Sequence, residues 1–192
     1  MSNLHNSNRL QGKKIAILAT DGFEQSELLS PQAALLEAGA DIEVVSIKEG
    51  QITAWDEDKW GEKVAVDKLA ANANAGDYDA LLLPGGLFNP DSLRQNNDAK
   101  AFVDGFFGAE KNKPVAAICH APWLLAEINK LRDKKVTSFP SIKSDLINAG
   151  AHWVDQEVCV DNGLVTSRSP ADLDAFNAKF IEEILEGKHQ AH

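Results

Sequence analysis

Cysteine is scarce in this chain. Cys119 and Cys159 are the only two in 192 residues, far apart and with no Cys-x-x-Cys spacing, which excludes a disulfide scaffold and a cysteine-rich zinc cluster. His152 has no metal-ligand spacing, and His5, His189 and His192 fall in ends expected to be mobile, so no metal site and no cofactor are expected. Long apolar runs are also missing. None approaches the roughly 18 residues that crossing a bilayer requires, and the N-terminus lacks the charged-then-apolar layout of a secretory signal; a cytoplasmic location and no membrane partner are expected. Positive charge is short as well: 19 Lys and Arg stand against 29 Asp and Glu, for a net charge of -10. Nucleic-acid binding is driven by Lys and Arg releasing counterions from phosphates, so no nucleic-acid partner is expected. No internal repeat or linker divides the sequence.

What is present reads as an ordinary globular chain, 44% hydrophobic and 25% charged. A polar opening, residues 1–12, is expected to be a mobile extension, and residues 13–188 to form one α/β domain. "KIAILAT", "DIEVVSI", "DALLLP" and "PVAAIC" are apolar on both faces and read as buried strands. Between them lie helical patterns. One carries Leu29, Ala33 and Leu36 and is closed by Gly39, another runs through Ala99 to Ala109, and a last one starts at Pro170 behind Ser169 as cap, with Leu173, Phe176, Phe180 and Ile184 on one face. Two segments, near Gly50 and near Glu157, read as antiparallel hairpins, the second turning at Asp161-Asn162-Gly163. Strands alternating with helices give a doubly wound, mostly parallel sheet sandwiched by helices.

In such a sheet ligands bind beyond the carboxyl ends of the strands. The loops "TDGFEQSE", "PGGLFNPDSLR" and "CHAP" converge there. Cys119 ends one strand where a helix begins, a setting in which a helix dipole can lower a thiol pKa; the alternative is a buried, inert small residue. His120 follows directly, although neighbours in a turn usually point apart. Glu24 and Glu27 are spaced to share one side of a helix's first turn. Gly85 and Gly86 leave backbone N–H groups free to approach a developing oxyanion. Trp123 is the one tryptophan placed to shape the pocket, whereas Cys159, Trp55, Trp60 and Trp153 read as packing or interface residues.

The motifs "DGFEQSELLSP", "DALLLPGG", "NPDSLR", "KPVAAICHAPWLLAE", "SIKSDLINAGAHWVD" and "VTSRSPADLDAF" together resemble the PfpI family of intracellular proteases and stress proteins. Its superfamily also holds the Parkinsonism-associated deglycase and the class I glutamine amidotransferases. The resemblance implies a flavodoxin-like fold, with Cys119 as nucleophile and oxidation-sensitive thiol, Glu27 as the carboxyl bonded to its sulfur, and Glu24 as a secondary neighbour. It further implies Gly86 and His120 amides as oxyanion donors, and His120 paired with an acid from a neighbouring subunit at the position of Asp91. Phe139 stands where some members have tyrosine. A homo-oligomer, dimer or larger, follows. The implied function is a cofactor-free cysteine enzyme acting on small carbonyls such as methylglyoxal or on their adducts. The alternatives are a peptidase using Cys119, His120 and Asp91, and a redox-sensing or chaperone protein without turnover.

Overall fold

The computed structural model describes residues 8–190. In chain order its elements are β1 (Lys14–Leu18), α1 (Gln25–Glu37), β2 (Asp41–Ser46), β3 (Gln51–Asp56), β4 (Lys59–Ala65), β5 (Lys68–Leu69), β6 (Ala80–Leu83), α2 (Phe88–Arg94) and α3 (Asn97–Asp104). There follow β7 (Lys111–Asn112), β8 (Val115–Ile118), α4 (Pro122–Glu127), β9 (Lys135–Val136), α5 (Lys143–Asn148), β10 (His152–Trp153), β11 (Cys159–Asp161), β12 (Leu164–Ser167), α6 (Leu173–Glu186) and β13 (His189–Gln190). The main sheet has the order β11-β12-β8-β6-β1-β2-β5. Its pairings are parallel except β11 with β12. This is the doubly wound sandwich expected from the alternation of apolar runs.

Alternation along each strand feeds two cores. Ala16, Leu18, Leu81, Leu83, Val115 and Ala117 pack on one face with Phe102 and Leu124. Ile15, Ile17, Leu82, Ala116 and Ile118 pack on the other with Leu28, Phe176 and Phe180. A strand covered on both sides has no polar face to show, which is why these runs are continuous in the sequence. Each fully buried phenylalanine contributes about 1.5–3 kcal/mol of hydrophobic stabilisation before entropy.

Both expected hairpins form: β3 pairs with β4, and β11 with β12, antiparallel. Other expectations shift. The buried stripe of α1 is Glu27, Leu28, Pro31 and Leu35, with Leu36 facing solvent, because its inward face must also carry a carboxyl to the sheet's end. The helix expected to reach Ala109 stops at Asp104, where Gly105 caps it. Ser169 makes no capping bond; instead Asp172 accepts from the Arg168 N–H and binds its guanidinium. The expected extension does not end at residue 12, since Leu10 is fully buried and its N–H donates to the Ala38 carbonyl at 2.8 Å. Residues 1–7 of that extension, with His5, and His192 at the other end, lie outside the described residues. His189 was expected in a mobile end, yet it pairs with Asn112 in β13–β7.

Candidate active site

β1, β6 and β8 all run parallel and end on one edge of the sheet. β8 stops at Ile118, and the next residue, Cys119, turns with φ +65°. A left-handed conformation costs a residue with a Cβ about 1–2 kcal/mol. Cys119 is held there from both sides: its N–H donates to the Ser167 carbonyl at 3.1 Å, and its own carbonyl accepts from the Phe139 N–H at 2.9 Å. The chain then enters α4 with Pro122 at its first position.

The loop after β6 lies directly against this turn. A Cβ on Gly85 would sit 2.6 Å from the Cys119 Cβ and 2.8 Å from Glu27 Oε1, so no other residue fits between sulfur and carboxyl. Gly86 has φ +82° and packs against the backbone of Gly22 and Glu24. Asn89, fully buried, fixes the arrangement. Its Nδ2 donates to the Pro84 and Gly85 carbonyls at 2.9 and 3.0 Å, and its Oδ1 accepts from the Thr20 N–H at 2.7 Å. One amide therefore ties the loop after β6 to the loop after β1.

The sulfur of Cys119 is 3.1 Å from His120 Nδ1, and the residue is only 6% exposed. The adjacent side chains converge, contrary to the expectation that they point apart, because the left-handed turn at Cys119 folds the thiol back toward the next residue. His120 Nε2 lies 3.1 Å from Ser141 Oγ. Its ring stacks on Phe139 at 4.7 Å and meets Trp123 edge-on at 5.1 Å. Burial holds its pKa below the ordinary histidine value, so it is neutral at pH 7. With a thiol proton donated to Nδ1, the Nε2–H donates to Ser141, a short proton path leading out of the pocket.

Glu27 is fully buried, and neither carboxylate oxygen has a hydrogen-bond partner among the described residues. The Gly86 N–H and the Cys119 thiol approach it and favour ionisation without meeting hydrogen-bond geometry. Burial, and then the charge of Glu24, outweigh them and push its pKa well above the usual carboxylate range. The Cys119 thiol is pushed up as well, first by burial and then by the Glu27 charge, against the pull of the Gly86 and His120 amides. The expected lowering by a helix dipole is therefore overturned, since α4 is six residues long and desolvation dominates. The coupling runs one way: the Glu27 charge raises the thiol, whereas the thiol lowers Glu27, so the carboxyl gives up its proton before the sulfur does. Glu27 accordingly holds its proton more tightly than an exposed carboxyl would, beside the sulfur.

Glu24 is half-buried and accepts from Ser26 Oγ at 2.8 Å. Trp123 donates from Nε1 to Asp145 at 2.8 Å, with the Arg94 guanidinium 5.2 Å over its ring. Asp91 is exposed in the first turn of α2, and the chain's own Ser141 takes the His120 nitrogen that an Asp91 partner would need. Cys159 packs, buried, with its thiol on the Lys135 carbonyl. Asn89 and Ser141 were not anticipated. Asn89 stands in the "NPDSLR" motif, three residues past the glycine pair, a place from which an amide can reach back over its own loop.

The profile of the DJ-1/PfpI family matches residues 13–183. The chain belongs to the DJ-1/PfpI family. A Bacillus subtilis (strain 168) protein named "Putative cysteine protease YraA" is 46% identical over 170 residues, covering 88% of this chain and 96% of its own length. Among solved structures, DJ-1beta of Drosophila melanogaster superposes with a TM-score of 0.80 at 26% identity, covering 90% of both chains. A two-domain Anabaena variabilis protein with DJ-1/ThiJ/PfpI-like and ferritin-like domains gives a TM-score of 0.81 at 32% identity, covering 90% of this DJ-1/PfpI chain and 48% of the Anabaena one. No described helix is long and apolar enough to cross a membrane.

Proposed function

We propose that this DJ-1/PfpI chain is a cysteine-dependent enzyme that converts small reactive carbonyls, of the methylglyoxal type, or their adducts to hydroxy acids. The observation that carries this reading is the contact of a 6% exposed sulfur with His120 Nδ1 at 3.1 Å, beside a buried carboxyl whose pKa burial raises. A nucleophile sunk this far suits a small aldehyde better than an extended peptide. Cys119 Sγ adds to the aldehyde carbon as His120 takes the thiol proton, and the oxyanion collects a proton from Glu27, giving a hemithioacetal. Gly86 and His120 supply the amides nearest that oxygen. Moving the proton from the first carbon to the second yields a thioester, and water cleaves it to free thiol and a hydroxy acid. The sum is the dicarbonyl plus one water.

A peptidase reading is favoured by the name of the Bacillus relative. In it His120 turns to Asp91 of a second copy, and the exposed Trp60, Leu87 and Phe88 beside that helix supply an apolar face for the copy to cover. Incubating the purified protein with methylglyoxal and, separately, with a quenched fluorescent casein decides between them. Lactate without casein cleavage supports the carbonyl enzyme. Casein cleavage without lactate supports the peptidase, and oxidation of Cys119 to the sulfinic acid under mild peroxide with neither activity supports a redox sensor.

A further inference from the structure

We propose that Glu183, Glu186 and His189 form a binding site for a divalent transition-metal ion of the zinc type, on the edge of the sheet where the parallel strands begin, away from Cys119. Their nearest donor atoms all lie within 4.8 Å of one another. Glu183 and Glu186 stand three apart on the last turns of α6 and so share one face. Gly187, with φ +86°, ends the helix and turns the chain back, and β13 carries His189 over that face while pairing with β7. Gly163 sits under the imidazole, where a Cβ would lie 2.7 Å from its Cδ2, so the ring is seated against the β11–β12 turn.

Two features distinguish this cluster from an ordinary ion pair. Glu183 is only 6% exposed, an uncommon place for a carboxylate without a full set of partners. Its Oε2 and His189 Nε2 are 3.0 Å apart, yet neither atom has a hydrogen-bond partner among the described residues, so the ring nitrogen's axis does not point at the oxygen. Atoms that are close but not aligned are what two ligands of one ion look like: nitrogen and oxygen each about 2.0–2.2 Å from zinc come within roughly 3–3.5 Å of each other. Two carboxylates and one imidazole match the charge and ligand type of such an ion, and leave a fourth position for water. Bound there, it would fasten β13 to α6.

The test uses Cys119→Ser protein stripped with chelator, so that the reactive thiol takes no zinc, and titrates it with zinc chloride by calorimetry. One equivalent is expected to bind, with an affinity reduced at least ~10-fold by Glu186→Gln and by His189→Ala in the same background. Glu186 is exposed and the glutamine has its shape, so that variant keeps the fold. Zinc should also raise the melting temperature of the Cys119→Ser protein and leave that of the His189→Ala double variant unmoved. Absence of zinc binding in the Cys119→Ser protein, or an affinity that neither Glu186→Gln nor His189→Ala reduces, would overturn the site and leave a His–Glu ion pair.

Discussion

Cys119 Sγ and His120 Nδ1 stand 3.1 Å apart although the two residues are neighbours in the chain. The contact depends on the left-handed backbone at Cys119, so thiol and imidazole are brought together by strain that β8, Ser167 and Phe139 hold in place. Replacing His120 by alanine removes the proton acceptor while leaving the turn intact. A fall of about 10²–10⁴ in kcat is expected, with the sulfur still open to alkylation; steady-state kinetics beside iodoacetamide labelling read both.

Gly85→Ala tests how tightly the loop after β6 is set against Cys119. Its methyl would fall 2.6 Å from the Cys119 Cβ and 2.7 Å from the Ile118 carbonyl, and neither a strand end nor a clamped turn can yield cheaply. A loss of about 1–3 kcal/mol of stability is expected, together with most of the activity. Denaturant titration gives the first quantity and turnover the second. An alanine variant as stable and active as the parent would mean that this packing is looser than described.

Asn89→Ala removes the amide that joins the loops after β1 and β6. It strands the buried Thr20 N–H and the Pro84 carbonyl, each costing about 1–3 kcal/mol if water cannot reach it, and leaves the Gly85 carbonyl only the long bond from the Glu24 N–H at 3.4 Å. Asn89→Asp keeps the acceptor for Thr20 and loses the donors. Melting temperatures should therefore fall in the order parent, Asp, Ala, with activity following.

Glu27 makes stability depend on pH with a definite sign. Its folded pKa lies above the unfolded value, so the folded chain holds this proton more tightly. The stability this gives is complete below the unfolded pKa and is lost as pH rises through the folded one, with a slope approaching about 1.4 kcal/mol per pH unit. Glu27→Gln cannot ionise and should flatten that decline. Urea unfolding of both proteins from the acid range, where unfolded carboxyls titrate, upward through neutral pH shows it, and identical pH profiles would mean that the fold does not raise the Glu27 pKa.

The parallel sheet was legible because strands buried on two faces leave unbroken apolar runs, and the β11–β12 hairpin because its tight turn leaves Asn162-Gly163 in the sequence. The helix faces were not so legible. On α1 the inward stripe includes Glu27, and a polar residue in a buried position disguises the period, so Leu29, Ala33 and Leu36 read falsely as the core. On α6, Glu183 hides in the same way among Phe176, Phe180 and Ile184. At the site, the residues that carry chemistry stand in motifs at strand ends, but Ser141 reaches His120 from 21 residues further along, a contact that only tertiary folding creates. The thiol pKa was misjudged for a related reason: the helix start is visible in the sequence, whereas the depth of burial and the facing carboxyl are not.

Lactate formation from methylglyoxal, followed in the parent, in Cys119→Ala and in Cys159→Ala, tests the central claim most directly. The account predicts turnover in the parent and in Cys159→Ala, and none above the buffer rate in Cys119→Ala. Lactate formed by Cys119→Ala at the parent's rate would contradict it.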